Sequence, residues 1–540
     1  MNLIRKSTML RRILLLFLCA GLLLPSASLA AGSKKSPEKD VRVLLTRLNL
    51  AEEAWMTLEG RYLARGSDGT EILLPAGAQI AVFLRSGQLV LFHEGLSFSA
   101  GKQLTLLRRQ DGDTEPGIRF NLRTGKYPGD LTLSVKDGVI QPLLTLPLET
   151  YLLGVVPYEM SDSFPLEALK VQAVCARTYV LSKLDTAGEY DVVDNTNDQV
   201  YRGTPDQCEN TARAIEETAG LVLTYKSKLI TAWYSASNGG QTELPGNIWS
   251  GKGIPGCFAM TDDPWDAENP DSTVRTAVLN KDGSNLSLGI QRLLHTELAK
   301  VPGLSGLLPE KQNEVKVDAI RAVRLTTPRY KAPSRLMTKA ELTLDAYGGT
   351  YTVTLDLFPE AVFLLGLSIY GADNEIITVT EDKESFTLTA GRYGHGVGMS
   401  QRGAQQMASK GKKNFKQILN FYYPGAKLRR YEEKSVPLPT PDPVLGETPG
   451  PVPTATPRPT LMPVTGQLPE DAWLASVENI DDDSTLNLRE QPSAGSKILR
   501  KLYKHQQLIV LEEAEVPGWV RVKTDVIEGY VMYSYLQKAE

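Results

Sequence analysis

Between residues 435 and 469 the sequence turns to proline, threonine and valine, VPLPTPDPVLGETPGPVPTATPRPTLMPV. Such a segment cannot bury a core and favours extended polyproline conformations. The chain must therefore fold as separate bodies on either side of it. At ~3.1 Å per residue the linker reaches on the order of 100 Å, a tether with reach. A chain of 540 residues is in any case too long for one core.

The composition is that of ordinary globular protein, 42% hydrophobic and 23% charged. A formal charge of −4 and the lack of a long basic run remove the electrostatic reason to expect nucleic acid. Residues 1–30 read as a targeting segment: Arg5, Lys6, Arg11 and Arg12 precede an apolar run from Ile13 to Leu24, and Ser28-Leu29-Ala30 resembles a cleavage site. The run is shorter than the ~20 residues of a spanning helix, which favours a cleaved signal over an anchor and an extracytoplasmic location, secreted to the wall or tethered to the membrane. Beyond it stand Cys175, Cys208 and Cys257, too few and too widely spaced for a disulfide framework. One Cys208–Cys257 bridge, with Cys175 buried on its helix, is the pairing such spacing allows.

Residues 31–40 are a polar spacer. From 41 to 140 short apolar runs (VRVLL, AQIAVFL, QLVLFH, KQLTLLRR, DLTLSV) separated by Gly or Asp-Gly breaks predict strands. This β-rich lead-in is either a separate small domain or the scaffold on which the later helices rest.

The stretch Leu148 to Leu184 carries two helical patterns. The first sets Leu148, Leu152, Val155 and Val156 on one face and is expected to stop at Pro157. The second has Asp162 or Ser163 as cap and Pro165 in its first turn. Leu166, Leu169, Ala173, Ala176 and Val180 then recur at spacings of 3, 4, 3 and 4. Glu159 lies in the break, flanked by Val155, Val156 and Met160. Partial burial there would raise a carboxyl pKa and suit a general acid, the other reading being a solvated loop residue. Lys170 and Arg177, seven residues apart, share a helical face that either holds an anionic or polyhydroxylated substrate or is simply solvated.

Further on, Thr211 to Thr218 predicts a helix ending at Gly220. LVLTY and LITAWYSAS read as strands around a turn, the second running into Asn238-Gly239-Gly240, glycines that suit either close approach to a ligand or a plain hairpin. Trp249, Phe258 and Trp265 follow in loops. A helical pattern covers Leu286 to Lys300, and strands return from Val315 to Leu357. In the last block Ser400 is placed to cap a short helix ending near Gly411, and Phe415 to Tyr423 predicts another.

The run E-x-Y-L-x-G-V-V-P-x-E-M followed by P-x-E-A-L-K-x-Q-A-V-x-A-R-T-Y resembles the SpoIID family, which also contains the amidase enhancer LytB. DNTNDQVYRG with TAGLVLTYKSKLITAWYSASNGGQTE, and GRYGHGVGMSQRGAQQMASKGKKNFKQILNFYYPG, resemble its later blocks in the same order. The tail, 472–540, is similar to a bacterial SH3-like domain through LNLREQPS, GWVRV and GYVMYSYL. The fold class implied is α+β: the β-rich lead-in, a SpoIID-type catalytic core over 141–430, and a small all-β barrel. Such tails commonly bind wall peptide or glycan, the other reading being a stabilising or protein-binding module.

The resemblance implies a lytic transglycosylase cutting between N-acetylmuramic acid and N-acetylglucosamine on peptide-stripped glycan strands. Its glutamate falls on Glu159 and its basic helix positions on Lys170 and Arg177; block matching adds Tyr201, Tyr234, Ser237, His395 and Gln401 as substrate-binding residues. No cofactor or metal is expected: His93, His295, His395 and His505 have no closely spaced Cys/His companions. The partners implied are peptidoglycan glycan strands and an N-acetylmuramoyl-L-alanine amidase of the engulfment machinery. Competing readings are a serine hydrolase using Ser237 and His395, whose order fits no nucleophile elbow, a cysteine peptidase using Cys175, and a non-catalytic wall-binding scaffold that enhances an amidase.

Overall fold

The computed structural model describes residues 39–540 except 112–114, 122, 185–186, 250–255, 370, 432–471 and, in the tail, 479, 481–484, 494–495, 505, 515, 517, 525–527 and 539–540. The targeting segment 1–30, nearly all of the spacer and the proline linker 435–469 lie outside the described residues. Among the described residues no helix is long and apolar enough to cross a membrane.

The alternating lead-in forms β1 (Asp40–Leu44), β2 (Glu53–Glu59), β3 (Arg61–Gly66), β4 (Glu71–Leu74), β5 (Gln79–Arg85), β6 (Gln88–His93), β7 (Leu96–Gly101), β8 (Gln103–Arg109), β9 (Gly117–Phe120), β10 (Asp130–Lys136) and β11 (Val139–Pro147). β7-β6-β5-β2-β9 make one sheet. β1-β11-β10-β8-β3-β4 make the other, extended at β1 by the two-residue β12 (Val192–Val193). Their inward residues, such as Met56, Val82 and Leu91 from the first and Leu106, Leu133 and Leu144 from the second, belong to a single apolar cluster. That cluster continues into Tyr151, Leu169, Val174 and Tyr423 of the helical part. The lead-in is thus the scaffold of the helices, sharing their core.

The helical part comprises α1 (Leu148–Leu153), α2 (Val156–Glu159), α3 (Leu166–Lys183) and α4 (Glu209–Glu217). The break between the first two falls at Gly154, and Pro157 sits inside the first turn of α2, where a proline costs no hydrogen bond. α3 begins after Pro165 without a side-chain cap. Asp162 caps α4 instead, its carboxylate accepting from the amides of Thr211 at 2.7 Å and Asn210 at 3.3 Å. Most of α3 is buried on every side, the condition of a helix in the middle of a core rather than on its surface. LITAWYSAS is not one strand: only Lys228–Leu229 pairs with β13 (Leu221–Tyr225), while Tyr234–Ser235 pairs in parallel with Met399–Ser400.

Residues 274–391 form a body with its own apolar cluster around Leu294, Leu342, Leu344 and Leu388. Its entry strand Val274–Asn280 pairs antiparallel with its exit strand Ser385–Gly391, and α5 (Leu288–Leu298) starts at the Ser287 cap. The chain then returns to the first core through α6 (Gln401–Ser409), capped by Ser400 as its sequence predicts, and α7 (Phe415–Tyr422), which carries a full Asn414/Gln417 capping box.

Among its described residues the tail is built of β strands, with Thr485–Arg489, Trp519–Lys523 and Glu528–Met532 in one sheet around Leu488, Val510, Val522 and Val531, and a single 3-10 turn at Tyr533–Tyr535. The molecule is α+β with an all-β C-terminal part, as the sequence implies. Cys175, Cys208 and Cys257 are all free thiols, so the Cys208–Cys257 bridge is not formed.

Candidate active site

Glu159 is the last residue of α2, and its carboxylate collects donors from two later stretches. The backbone N–H of Val200 donates to Oε1 at 3.2 Å, and Gln401 Nε2 donates to Oε2 at 3.2 Å. The Tyr234 hydroxyl is a third donor. That hydroxyl accepts from Gln199 Nε2 at 2.8 Å, and Gln199 Oε1 accepts from Tyr151 at 3.1 Å, so a directed chain of donors ends on the carboxylate. Burial pushes the Glu159 carboxyl above its ordinary value; the Val200, Gln401 and Tyr234 donors and the nearby Arg202 guanidinium pull the other way and are outweighed.

The α3 face toward this carboxylate is set by Gln172, fully buried, whose Oε1 accepts from Gln401 Nε2 at 3.3 Å. Gln401 thereby bridges α3 and Glu159. Tyr201 stacks on Tyr151 with centroids 5.4 Å apart and rests on Gly154, where a Cβ would collide with its ring. This packing fixes the Gln199–Arg202 segment that delivers the Val200 amide. Tyr201 itself is buried and shows no side-chain surface to a ligand.

Lys170 and Arg177 do share a face, but it is turned away from Glu159 and onto α4. Arg177 has no exposed surface. It grips Glu149 with two bonds of 2.8 and 2.7 Å and donates to the carbonyls of Ile215 and Leu221. Lys170 lies between Glu167 and Glu217, each at 2.6 Å. The contacts differ from the substrate-binding expectation for these two residues: Arg177 is spent on an interior ion pair with Glu149, and Lys170 on a pair of partly exposed glutamates at the helix surface. Arg202, exposed and over the Tyr158 ring at 5.7 Å, is the cation on the Glu159 side.

Ser237 is also interior, donating to Asp266 at 2.9 Å. His395 accepts on Nδ1 from the Val397 amide at 3.0 Å, hydrogen-bonds the Tyr234 backbone and packs on Trp249 at 5.0 Å. Burial drives its pKa down to about 4, so the ring is neutral. Ser237 and His395 bond other partners, which removes the serine-hydrolase pairing. Cys175, pushed up to about 12 by burial and bonded to Tyr423, is no nucleophile at neutral pH. Trp249 stacks on Trp233 at 4.9 Å, and Phe258 packs beside it.

Ser237 belongs to a buried polar knot. Asp266 accepts from Ser237, Ser400 at 2.7 Å and the Gly240 amide at 3.1 Å, and Asp263 accepts from Tyr422 at 2.7 Å and Asn238 at 2.8 Å. Arg392, wholly buried, adds bonds to the Asn238 and Gln241 carbonyls.

Gln172, Gln199 and Arg202 are site residues that sequence reasoning passed over, although all three stand inside the quoted blocks. Their signal was the block itself; helical spacing drew attention to the charged face instead.

Compared with known proteins, residues 136–225 match the family model described as Stage II sporulation protein, SpoIID, and residues 484–537 match the Bacterial SH3 domain. The chain is 34% identical over 295 residues to the amidase enhancer of Bacillus subtilis (strain 168), which covers 52% of this chain and 40% of that protein. It is 27% identical over 300 residues to stage II sporulation protein D of Bacillus amyloliquefaciens, covering 52% and 74%. To the protein of that name from Bacillus subtilis (strain 168) it is 26% identical over 305 residues, covering 53% and 76%. The chain thus spans less than half the length of the amidase enhancer.

Proposed function

From a chain that carries a SpoIID domain and a bacterial SH3 domain, we propose a peptidoglycan lytic transglycosylase acting outside the cytoplasm in sporulation or wall remodelling, on glycan strands freed of their peptides. The observation that carries this reading is a desolvated carboxylate whose hydrogen-bond donors are an amide, a carboxamide and a phenol, with a guanidinium nearby. Hydrolytic glycosidases generally need two carboxyl groups about 5–9.5 Å apart. An intramolecular transfer needs one.

In the protonated form that burial favours, Glu159 gives its proton to the glycosidic oxygen as the bond to the muramic anomeric carbon breaks. The carboxylate left behind is held by Val200, Gln401 and Tyr234. It then takes the proton of the muramic C6 hydroxyl while that oxygen closes on the anomeric carbon. The products are a 1,6-anhydro end and a free hydroxyl on the departing sugar, with no water consumed and the glutamate reprotonated. Arg202 provides positive charge at the rim.

The test is mass spectrometry of glycan strands, with and without stem peptides, after exposure to the native chain and to Glu159→Gln. Anhydro-muramic ends made by the native chain alone, mainly on peptide-free strands, support the reading. The amidase-enhancer relative favours a second one, a wall-binding partner of an amidase. If neither protein cuts while both raise the rate of an added N-acetylmuramoyl-L-alanine amidase, that reading replaces the first.

A further inference from the structure

The five-stranded sheet of the lead-in breaks the usual rule that the outward face of a half-buried antiparallel sheet is polar. Met56, Val82 and Leu91 point inward and are buried, but the outward positions one residue away are Trp55, Phe83 and Phe92. Trp55 is 48% exposed and Phe92 38%. The strand registers set Trp55, Ala81 and Phe92 side by side in one row across β2, β5 and β6. The small Ala81 between two large rings leaves a hollow. Phe83, the next outward residue on β5, walls one end and meets Trp55 and Phe92 edge-on at 5.5 and 5.1 Å. The open volume is about 660 Å³, within the roughly 300–1,000 Å³ of small-ligand sites, and Gln79 and Asn121 add amide groups to its lining.

Two charged residues line the hollow, Arg85 and Glu94, and it is the Arg85 guanidinium that lies over the aromatic floor, 4.9 Å from the Phe83 ring centroid. Aromatic faces of negative potential match the C–H faces of pyranose rings, side-chain amides match their hydroxyls, and the cation matches an acidic substituent. Removing the stem peptide from a muramic residue leaves a free lactyl carboxylate, so a peptide-free strand is a polymer of sugar rings with regularly spaced negative charge. We propose that this hollow is a second glycan-binding site, separate from the Glu159 site, that holds peptide-free strands by stacking on Trp55 and Phe92 and by pairing Arg85 with a lactyl carboxylate. The identity of the glycan rests on the proposed transglycosylase function; the site does not. Packed structure connects the hollow to the segment around Tyr201. β9, at the edge of the same sheet, leads to Lys126 and Tyr127, which bond the Thr204 backbone and pack on Tyr201.

The test uses the full chain with Glu159→Gln, so that nothing is cut, and calorimetric titration with short peptide-free muroglycan oligomers. Adding Trp55→Ala and Phe92→Ala is expected to weaken binding at the hollow about tenfold or more, with loss of one binding site from the stoichiometry. Ala81→Leu, which fills the hollow and leaves every inward contact in place, has the same effect and guards against a folding defect. Arg85→Gln lowers the preference for peptide-free over peptide-bearing oligomers and flattens the salt dependence. Unchanged affinity and stoichiometry in the aromatic and Ala81 variants overturns the site. Loss of amidase association without loss of glycan binding also overturns it, in favour of a protein-docking surface. If the native chain makes no anhydro ends while binding still depends on Trp55 and Phe92, the transglycosylase reading falls and the glycan site stands.

Discussion

Gln401 Nε2 donates to Glu159 Oε2 at 3.2 Å across 242 positions of sequence, and the same nitrogen reaches Gln172 Oε1 on α3. One carboxamide therefore tunes the acid and braces it against the central helix. Its bond favours the charged carboxylate, while burial favours the neutral acid and prevails.

Because the carboxyl pKa is raised, the protonated form from which the proposed reaction begins persists to higher pH than for an ordinary glutamate. The rate is expected to fall as pH rises through that pKa. Gln401→Leu or Tyr234→Phe removes a donor to the anion, raises the pKa further and moves the alkaline limb upward by about one pH unit for a charge-assisted bond. Glu159→Gln lowers the rate by about 10²–10⁴ at every pH. Initial rates of anhydro-end formation against pH check all three, and an unmoved limb in both donor variants would show that Glu159 does not set it.

Arg177→Met is expected to cost stability rather than substrate affinity. It leaves Glu149 half-buried without its bidentate partner, a loss of about 3–5 kcal/mol for a broken interior pair. Urea denaturation should show the midpoint falling, and any protein that stays folded should keep its KM. A raised KM at unchanged stability would restore the substrate-binding role.

Gly154→Ala places a methyl inside the Tyr201 ring. The ring must move, and with it the segment that presents the Val200 amide to Glu159. A drop in kcat exceeding the drop in melting temperature is expected, and Tyr201→Leu in the same background should restore part of it by clearing the space.

Asp194 and Asp263 are buried and both have pKa values pushed up to about 6 by desolvation. A raised carboxyl pKa means that the folded state binds protons more tightly than the unfolded chain. The stabilising contribution is complete below the unfolded value near 3.8 and is lost as pH rises through about 6. For these groups melting temperature should climb as pH falls from about 7.5 to about 5, and Asp263→Asn should flatten that climb. A melting temperature that only falls on acidification in the native chain, with Asp263→Asn unchanged in slope, contradicts the assignment.

Local signals in the sequence were sound where the decisive contacts are local. Ser400 caps its helix because the acceptor and the Gly403 amide lie within one turn, and the strand runs of the lead-in pair as their alternation requires. Asp162 shows the limit: its sequence neighbour is α3, but its carboxylate reaches the amides of α4 almost fifty residues on. Spacing likewise put Lys170 and Arg177 on one face, correctly, without revealing that Glu149 and Glu217 were waiting there. Helical periodicity says which residues face together and nothing about what covers them. Glu159 was legible from its apolar flanks; Gln172 and Gln199 were not, since an uncharged carboxamide has no signature until its partners are known. The Trp55 hollow depends on β2, β5 and β6 lying in one register, which a strand pattern cannot supply.

The donors to Glu159 have a consequence for timing. A growing chain contains the glutamate long before it contains Tyr234, and Gln401 comes later still, beyond the whole 274–391 body. Until those segments exist and have docked, Glu159 has neither the burial nor the donors of the folded site and is an ordinary solvated carboxyl. On the proposed function, the reagent is thus absent from a chain that lacks those segments, and the order of the residues along the chain acts as its own safety catch.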